Sequence, residues 1–562
     1  MAKSAHNELK NNKHKKNNNK KNNHDNNTTE AKPLHYLIWL RRDLRLEDNT
    51  ALAAICERAK EDNARVTAVF VITHEQWQQH DQSLCQTDHL LRTLPILAKA
   101  LQDQLNIPLL VSACPTFSDS IEHLTKLCKS QNVRLVLANH EYEGNEIARD
   151  NALFQKLADS DIEFERHHDQ CILPPNSVCN GDGKMYQIFT PFYKKWQTTL
   201  DISPIVLHKP ERVSQNHAQQ GQSDHYGNLT IDFKSDLHDI RELCDKVLND
   251  YQTEWQKKAP HIEATAQLHQ SRQDYPAGEA AAKARLNDFI NEDIKRYNFG
   301  RDIPSLDATS RLSAYLTLGV ISPRACYLTA QAQLQKEKSA SDDKSDDKNN
   351  SDNNDIRRWL SELAWRDFYR HVLVARPDLI YHHAYKKDVD AKINWSYDDK
   401  DFEAWCQGKT GVPLVDAAMK SLNATGFMHN RLRMVTAMFL TKDLLIDWRL
   451  GERYFMQQLI DGDFASNNGG WQWSASTGND SAPYFRILNP FGQAKSHDSQ
   501  AVFIKSWLPE LSEVPASILN SEAKLNQALG TGGKFAKTNY PLPMVEHKLA
   551  RDYAIQQFKQ PS

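Results

Sequence analysis

From residue 34 onward the chain alternates short apolar runs with amphipathic stretches. Residues 34–40 (LHYLIWL), 65–72 (RVTAVFVI), 107–113 (IPLLVSA) and 133–139 (VRLVLAN) are apolar at nearly every position. Strands buried on both faces of a parallel sheet read this way. Helical stretches such as 89–105 (HLLRTLPILAKALQDQL) lie between them. The alternation predicts a doubly wound parallel α/β domain over 34–165. Residues 166–275 form an interdomain connector of mixed character, including 173–196 (LPPNSVCNGDGKMYQIFTPFYKKW). From 276, beginning PAGEAAAKARLNDFI, the pattern is almost wholly helical to 555. The fold class is thus an α/β domain followed by a large all-α domain.

Two polar stretches interrupt this plan. Residues 1–33 hold ten asparagines and eight lysines and predict a disordered, solvated leader. Residues 339–355 (SASDDKSDDKNNSDNND) hold six aspartates and predict a mobile acidic surface loop.

Composition narrows the function classes. Over 562 residues the net charge is −3, so any nucleic-acid footprint must be a local patch. Nine scattered cysteines without a CxxC pair point to reduced thiols, not to disulfides or zinc. No apolar run reaches the roughly twenty residues a membrane span needs, and the N-terminus lacks a signal-type apolar core. These features predict a cytoplasmic protein. The first strand runs into RRDLRLEDN and not into a G-x-G-x-x-G turn. That argues against a conventional dinucleotide site there.

Candidate chemistry is densest at 461–473 (DGDFASNNGGWQW). Asp461 and Asp463 accept hydrogen bonds, Asn467 and Asn468 donate and accept, and Trp471 and Trp473 offer flat rings. Gly469-Gly470 lets the backbone approach a ligand closely. As a calcium loop the stretch fails, because Ala465 and Ser466 fall where a ligand and the required glycine belong. As an Asn/Gly turn with tryptophan filler it remains open. Thr309, Ser310 and Ser313 sit at a predicted helix start, where hydroxyls either cap the helix or help bind a phosphate. Trp359, Glu362 and Arg366 recur at i, i+3 and i+7 and share one helix face.

These segments occur in order as 309–319 (TSRLSAYLTLG), 359–370 (WLSELAWRDFYR), 426–455 (GFMHNRLRMVTAMFLTKDLLIDWRLGERYF) and 461–473. So arranged, the chain resembles the photolyase/cryptochrome family, and within it the class I cyclobutane pyrimidine dimer photolyases, from about 34 to about 555. The resemblance implies that the helical domain binds FAD, active when reduced. Tyr297, Thr309, Ser310, Arg311, Leu312, Ser313, Trp359, Arg366, Asn430, Arg433, Asp461, Gly462, Asp463 and Asn467 would contact it. Asn467 would face flavin N5. The lesion pocket would comprise Glu362, Trp365, Asn430, Met434 and Trp473. Burial would raise the Glu362 pKa so that it can donate to the dimer.

Arg301, Arg366, Arg431, Arg486 and Gln493 would contact DNA. Lys409, in a GKTG that lacks the first glycine of a phosphate loop, is a weaker candidate. Trp471, Trp448 and Trp395 match the family's electron-transfer tryptophans. Asn145 and Glu146 match contacts of a methenyltetrahydrofolate antenna. The chain departs from the family at Tyr381, where relatives carry a lysine, with His382, Lys386 and Lys387 as nearby substitutes. It departs again at Phe427, where relatives carry tryptophan.

The resemblance implies a light-driven lyase acting on UV-damaged DNA, single- or double-stranded, as a monomer and without a membrane. Met434, where (6-4) photolyases carry a histidine, favours cyclobutane dimers; His429 is read as structural. Asn467, and a chain that stops soon after EHKLARDYAIQQF, disfavour a sensory cryptochrome. The missing glycine fingerprint disfavours an NAD(P)H flavoenzyme. A non-catalytic DNA binder leaves the flavin motifs unexplained.

Overall fold

The computed structural model describes residues 34–214, 231–340 and 346–559, so the 1–33 leader lies outside the described residues. Four strands fall on the four apolar runs: β1 (His35–Trp39), β2 (Arg65–Thr73), β3 (Leu109–Cys114) and β4 (Val133–Asn139). With β5 (Glu163–His167) they form one parallel sheet in the order β3-β2-β1-β4-β5. Alternate residues enter two different cores. Ile38, Ala68, Phe70, Val111 and Leu137 face one, while Leu37, Trp39, Val69, Leu110 and Val136 face the other. A sheet covered on both sides explains why these runs are continuously apolar.

The sequence pattern missed β5. Its EFERH sequence buries only Phe164 and lies at the sheet edge, where charged side chains are tolerated and discourage further pairing. A boundary at 165 would cut this strand. The region read as a connector also packs closely: it contains helices Phe189–Ile202, Leu237–Lys258 and Ala264–Asp274. Tyr251 donates to the Gln82 carbonyl at 2.7 Å and Trp255 to the Gln457 carbonyl at 3.1 Å, tying both halves of the chain to this region.

Beyond 276 the described residues are helical, joined by turns. The acidic insert corrects an expectation. Residues 346–355 open the helix Asp346–Ala375 and are not loop; only 341–345 lie outside the described residues. Once a helix is nucleated, each added residue gains a backbone hydrogen bond, so polar sequence can extend it. No described helix is long and apolar enough to cross a membrane. All nine cysteines are unpaired, and burial pushes the thiols of Cys56, Cys85, Cys114 and Cys128 up to about 12, which keeps them unreactive.

A buried ion cluster fastens the loop after β1 to the helical region. Arg45 and Arg324 both reach Asp169, at 2.8 and 3.0 Å, and Arg324 also holds Asp48 at 2.8 Å. Burial alone would raise the Asp169 carboxyl, but the two arginines hold it at about 2.

The acid response follows from such groups. Burial lowers His35 and His89 to about 3, and His140 and His429 to about 4. All four pKa values are depressed in the folded state, so the stability they favour is complete above about pH 6.5 and is lost as pH falls. Among the described residues, His382, raised by its bond to Glu452, and the carboxyls of Asp43, Glu143, Asp416 and Asp443, raised by burial, work the other way. Asp169 and Asp463, each held at about 2, add a second loss below about pH 4. Calorimetry across pH should show the melting temperature falling from about pH 6 and falling more steeply below about pH 4.

Candidate active site

The segment 461–473 is a tight turn followed by the helix Phe464–Ala475. Asp463 caps that helix by accepting from the Ser466 backbone N–H at 2.9 Å. Gly469 and Gly470 both lie inside this helix, which corrects the reading of Gly469 as a close approach for a ligand. The bare α-carbon of Gly469 receives the ring of Tyr369, into which a β-carbon would collide; Gly470 faces open space. The cap and this interhelical contact offset the roughly 1 kcal/mol that each glycine costs a helix.

Each acidic residue of the turn is held by an arginine. Arg433 grips both oxygens of Asp461 at 2.9 and 3.0 Å and donates to the Met428 carbonyl at 2.8 Å. Asp463 pairs with Arg370, which sequence reasoning did not single out. Burial pushes the Asp463 carboxyl up, but Arg370 and Arg366 outweigh it and hold it at about 2. Arg366 turns inward to the carbonyls of Gln170 and Leu316, and burial then Arg370 lower its guanidinium pKa. That placement suits a bound group in the interior better than a DNA phosphate. Three arginines thus surround two carboxylates, and Arg370 Nε and Nη1 are buried without partners. Orphaned buried donors beside surplus positive charge fit an anionic cofactor rich in acceptors.

The remaining flavin candidates line the same region. Ser313 opens the short helix Ser313–Thr317, but the residue before it is Leu312, which cannot cap with its side chain. Thr309 and Ser310 therefore do not act as caps. Arg285 holds their carbonyls at 2.9 and 3.0 Å and leaves both side chains half-buried. Arg311 has φ +50°, bonds Asp307 at 2.8 Å and lies 5.3 Å from the Phe427 ring centre; Arg433 lies 5.6 Å from the same ring. Phe427 thus keeps the cation-facing surface that an indole would give. Tyr297 and Trp359 are both buried, packing on Phe289 at 5.8 and 5.3 Å. The Gly462 carbonyl accepts from Gln86 at 2.8 Å.

Asn467 donates its amide to the Glu452 carbonyl at 2.9 Å, which leaves its Oδ1 as an acceptor. Glu452 also takes Asn468 and His382, each at 2.8 Å, and so fixes this part of the helix.

On the outer side, Glu362 is half-buried and paired with Arg301, with Arg358 at 3.7 Å. It is flanked by two cations and not sunk in apolar surroundings. Arg431 joins this group through Asp302 at 2.7 Å, so Arg301, Arg431 and Glu362 form one cluster. Trp365 stacks on Phe189, which the sequence did not flag, with centres 3.7 Å apart. Trp365 and Trp473 each lie one turn from the Tyr369–Gly469 contact and are half-buried. Met434 is half-buried and Asn430 exposed at the start of helix Asn430–Met438, which His429 caps by accepting from Arg431 N–H at 3.2 Å. Arg486 is exposed, Gln493 has a buried Oε1 without a partner, and Lys409 points to Gln407 at 2.7 Å.

Of the three electron-transfer candidates, Trp448 and Trp471 are buried and Trp395 half-buried. Trp471 lies on Gly451, one turn along the helix Trp448–Gln458, and a β-carbon at Gly451 would collide with the indole. Gly451→Val should therefore displace Trp471 and cost about 1–3 kcal/mol in denaturant unfolding.

Asn145 bonds His80 at 2.9 Å, and Glu146 faces the same ring at 3.4 Å. Gly144 is pressed against Ile380, which brings this turn beside the exposed Tyr381. Each suggested substitute has another partner: His382 on Glu452 at 2.8 Å, Lys386 on Ser481 at 2.8 Å, and Lys387 on Asp378 at 3.2 Å.

The chain is similar to known proteins in sequence and in fold. Residues 359–560 match the model of the FAD-binding domain of DNA photolyase, and residues 36–213 match that of DNA photolyase. The deoxyribodipyrimidine photo-lyase of Escherichia coli is 39% identical over 517 residues, covering 92% of this chain and 96% of the relative. That of Neurospora crassa is 35% identical over 530 residues, covering 93% and 81%. A class III photolyase of Agrobacterium tumefaciens superposes with TM-score 0.71 at 29% identity, covering 95% and 99%. A cryptochrome of Synechocystis superposes with 0.72 at 25%, covering 93% and 99%. The chain carries an FAD-binding domain and belongs to the DNA photolyase family.

Proposed function

We propose that the protein splits cyclobutane pyrimidine dimers in UV-damaged DNA, using light and reduced FAD. The observation that carries this reading is the division of labour along one helix. Within Asp346–Ala375, the half-buried Glu362 joins the Arg301–Asp302–Arg431 cluster, while Arg370, two turns on, pairs with the buried Asp463 beside the flavin candidates. A single rigid element then holds donor and acceptor at a fixed separation, as electron transfer requires. When bound, reduced FAD supplies the electron that opens the dimer.

The chain's own residues bind, orient and screen. Arg433–Asp461 and Arg370–Asp463 would hold the flavin's polar groups, with Tyr297, Thr309, Ser310, Arg311, Leu312, Ser313, Trp359, Asn430 and Gly462 completing its surroundings. Asn467 Oδ1 would accept from N5–H and so favour the reduced form. Glu362 would hydrogen-bond the dimer edge, and Trp365 and Trp473 would stack against it, with Met434 filling the remaining side. Arg301, Arg431, Arg486 and Gln493 would take the DNA backbone. Flipping costs least for a damaged base, which biases the pocket toward lesions. Trp471, Trp448 and Trp395 would carry electrons inward to restore the reduced cofactor.

We assign the antenna site to Asn145 and Glu146, whose amide and carboxylate suit a flat donor–acceptor heterocycle such as a folate. The lysine contact is missing at Tyr381, and no step depends on it. We propose a cytoplasmic location, which the unpaired thiols favour, and action as a monomer.

Parallel assays on oligonucleotides carrying a cyclobutane dimer or a (6-4) lesion test the proposal. Light-dependent repair of the first alone supports it. Repair of the second alone reassigns the pocket, and no repair of either by photoreducible protein leaves light sensing.

A further inference from the structure

The three tryptophans differ sharply in what their indole N–H groups meet. Trp471 Nε1 is buried with no acceptor. Trp448 and Trp395 both donate to the same oxygen, Asp390 Oδ1, at 3.2 and 3.1 Å. The backbone enforces this convergence. Ser396 N–H donates to the Leu445 carbonyl at 2.7 Å and Asp447 N–H to the Ser396 carbonyl at 3.2 Å, which sets Trp395 beside the start of the helix carrying Trp448.

Asp390 is in turn clasped by Arg449 Nη2 at 2.6 Å. The Arg449 guanidinium also lies 4.6 Å from the Trp448 ring centre. Asp447, 3.1 Å from Arg449 and 2.7 Å from the Tyr397 hydroxyl, completes the charged surroundings.

We propose that Asp390 accepts the indole proton of oxidised Trp395, and that Arg449 directs the oxidising equivalent outward from Trp448 to Trp395. The inference rests on the reading of Trp471, Trp448 and Trp395 as an electron chain. Trp471 gives one electron to the excited flavin and is refilled by Trp448, which is refilled by Trp395. One positive charge then resides on Trp395. Its Nε1–H bond breaks, the proton passes to Asp390 Oδ1, and a neutral indolyl radical remains. An exogenous thiolate later returns one electron while Asp390 returns the proton.

Electrostatics gives this path its direction. A cation over the Trp448 face disfavours a positive charge on that ring, whereas Trp395 has the same carboxylate without a cation over it. Trp471 Nε1 has no acceptor, so proton loss does not trap its oxidised form, which either recombines or passes the charge on. Proton loss at Trp395 then blocks return, because recombination would have to recover the proton first. Asp390 and Arg449 are positioning residues: they act through the indoles.

Transient absorption of the flavin-loaded full chain tests this, because protonated and neutral tryptophan radicals have distinct spectra. Asp390→Asn keeps an oxygen to accept the N–H but removes the charge and the basic site. It should slow indole proton loss by roughly tenfold and lower the yield of long-lived radical. Arg449→Gln should raise the share of charge held on Trp448, with Trp395→Phe as the reference spectrum for a charge stopped there. Unchanged proton-loss rate and yield in Asp390→Asn, or an unchanged charge distribution in Arg449→Gln, would overturn the assignment. If Trp448→Phe photoreduces its flavin as fast as the parent, the electron-chain reading itself fails, and the proposal with it. A folding defect in one variant is detected by its flavin spectrum and leaves the other as the test.

Discussion

Arg370→Leu is expected to give a protein that purifies without flavin and unfolds at markedly lower denaturant. Arg370 and Asp463 are both buried, at 2% and 7% exposure, and the arginine is the main force holding the aspartate ionised. Removing one partner strands the other, which typically costs about 3–5 kcal/mol. Asp463 also caps the helix that carries Asn467, Trp471 and Trp473, so an unpaired carboxylate left beside a leucine would loosen three proposed site residues together. The double variant Arg370→Leu/Asp463→Leu should recover much of the stability, because no charge is then left unpaired, yet still fail to retain flavin. Flavin absorbance against protein, with denaturant unfolding of the single and double variants, checks both halves.

Trp365→Ala has the second large expected effect, and it is confined to damaged DNA. The indole loses its stack on Phe189, and the dimer loses an aromatic face worth roughly 1–3 kcal/mol per base. Affinity for an oligonucleotide carrying a cyclobutane dimer should fall about 5- to 150-fold. Affinity for the undamaged strand, set by phosphate contacts, should hardly change. A parallel loss on both substrates would place Trp365 in general folding, not in lesion recognition. Flavin content should stay at the parent level, since the ring contacts of Trp365 are with Phe189, Phe368 and Tyr369 and not with the arginines that hold Asp461 and Asp463.

Much of this architecture was legible in the chain. The four apolar runs became four strands because a doubly covered sheet leaves no polar face to disguise them. β5 escaped notice because an edge strand buries one residue and advertises only charge. The acidic insert misled for the opposite reason: composition signals solvent exposure, but it does not forbid a helix already nucleated by its neighbours. At the site, the DGD turn and its tryptophans stood out, yet Gly469 proved to be a packing contact for Tyr369. Residue type alone cannot tell a glycine that admits a ligand from one that admits a ring.

Charge partners were the least legible. Arg433 and Asp461 were both named as flavin contacts without being paired, and Arg370, one helical turn after Arg366, was not singled out as the partner of Asp463. The i, i+4 spacing was the available signal. Burial was expected at Glu362, and the structure leaves it half-buried beside Arg301 and Arg358. Those partners come from tertiary packing and from a turn of the same helix, which pattern reading does not rank.

The central claim is light-driven reversal of the cyclobutane dimer in the pocket built by Glu362 and Trp365. The direct measurement uses flavin-reduced protein, an anaerobic oligothymidylate carrying such dimers, and blue or near-ultraviolet light. The ultraviolet absorbance of intact thymine should return on illumination, nothing should return in the dark, and Glu362→Ala/Trp365→Ala with bound flavin should restore little. Recovery in the dark, or full recovery by that double variant, would contradict that claim.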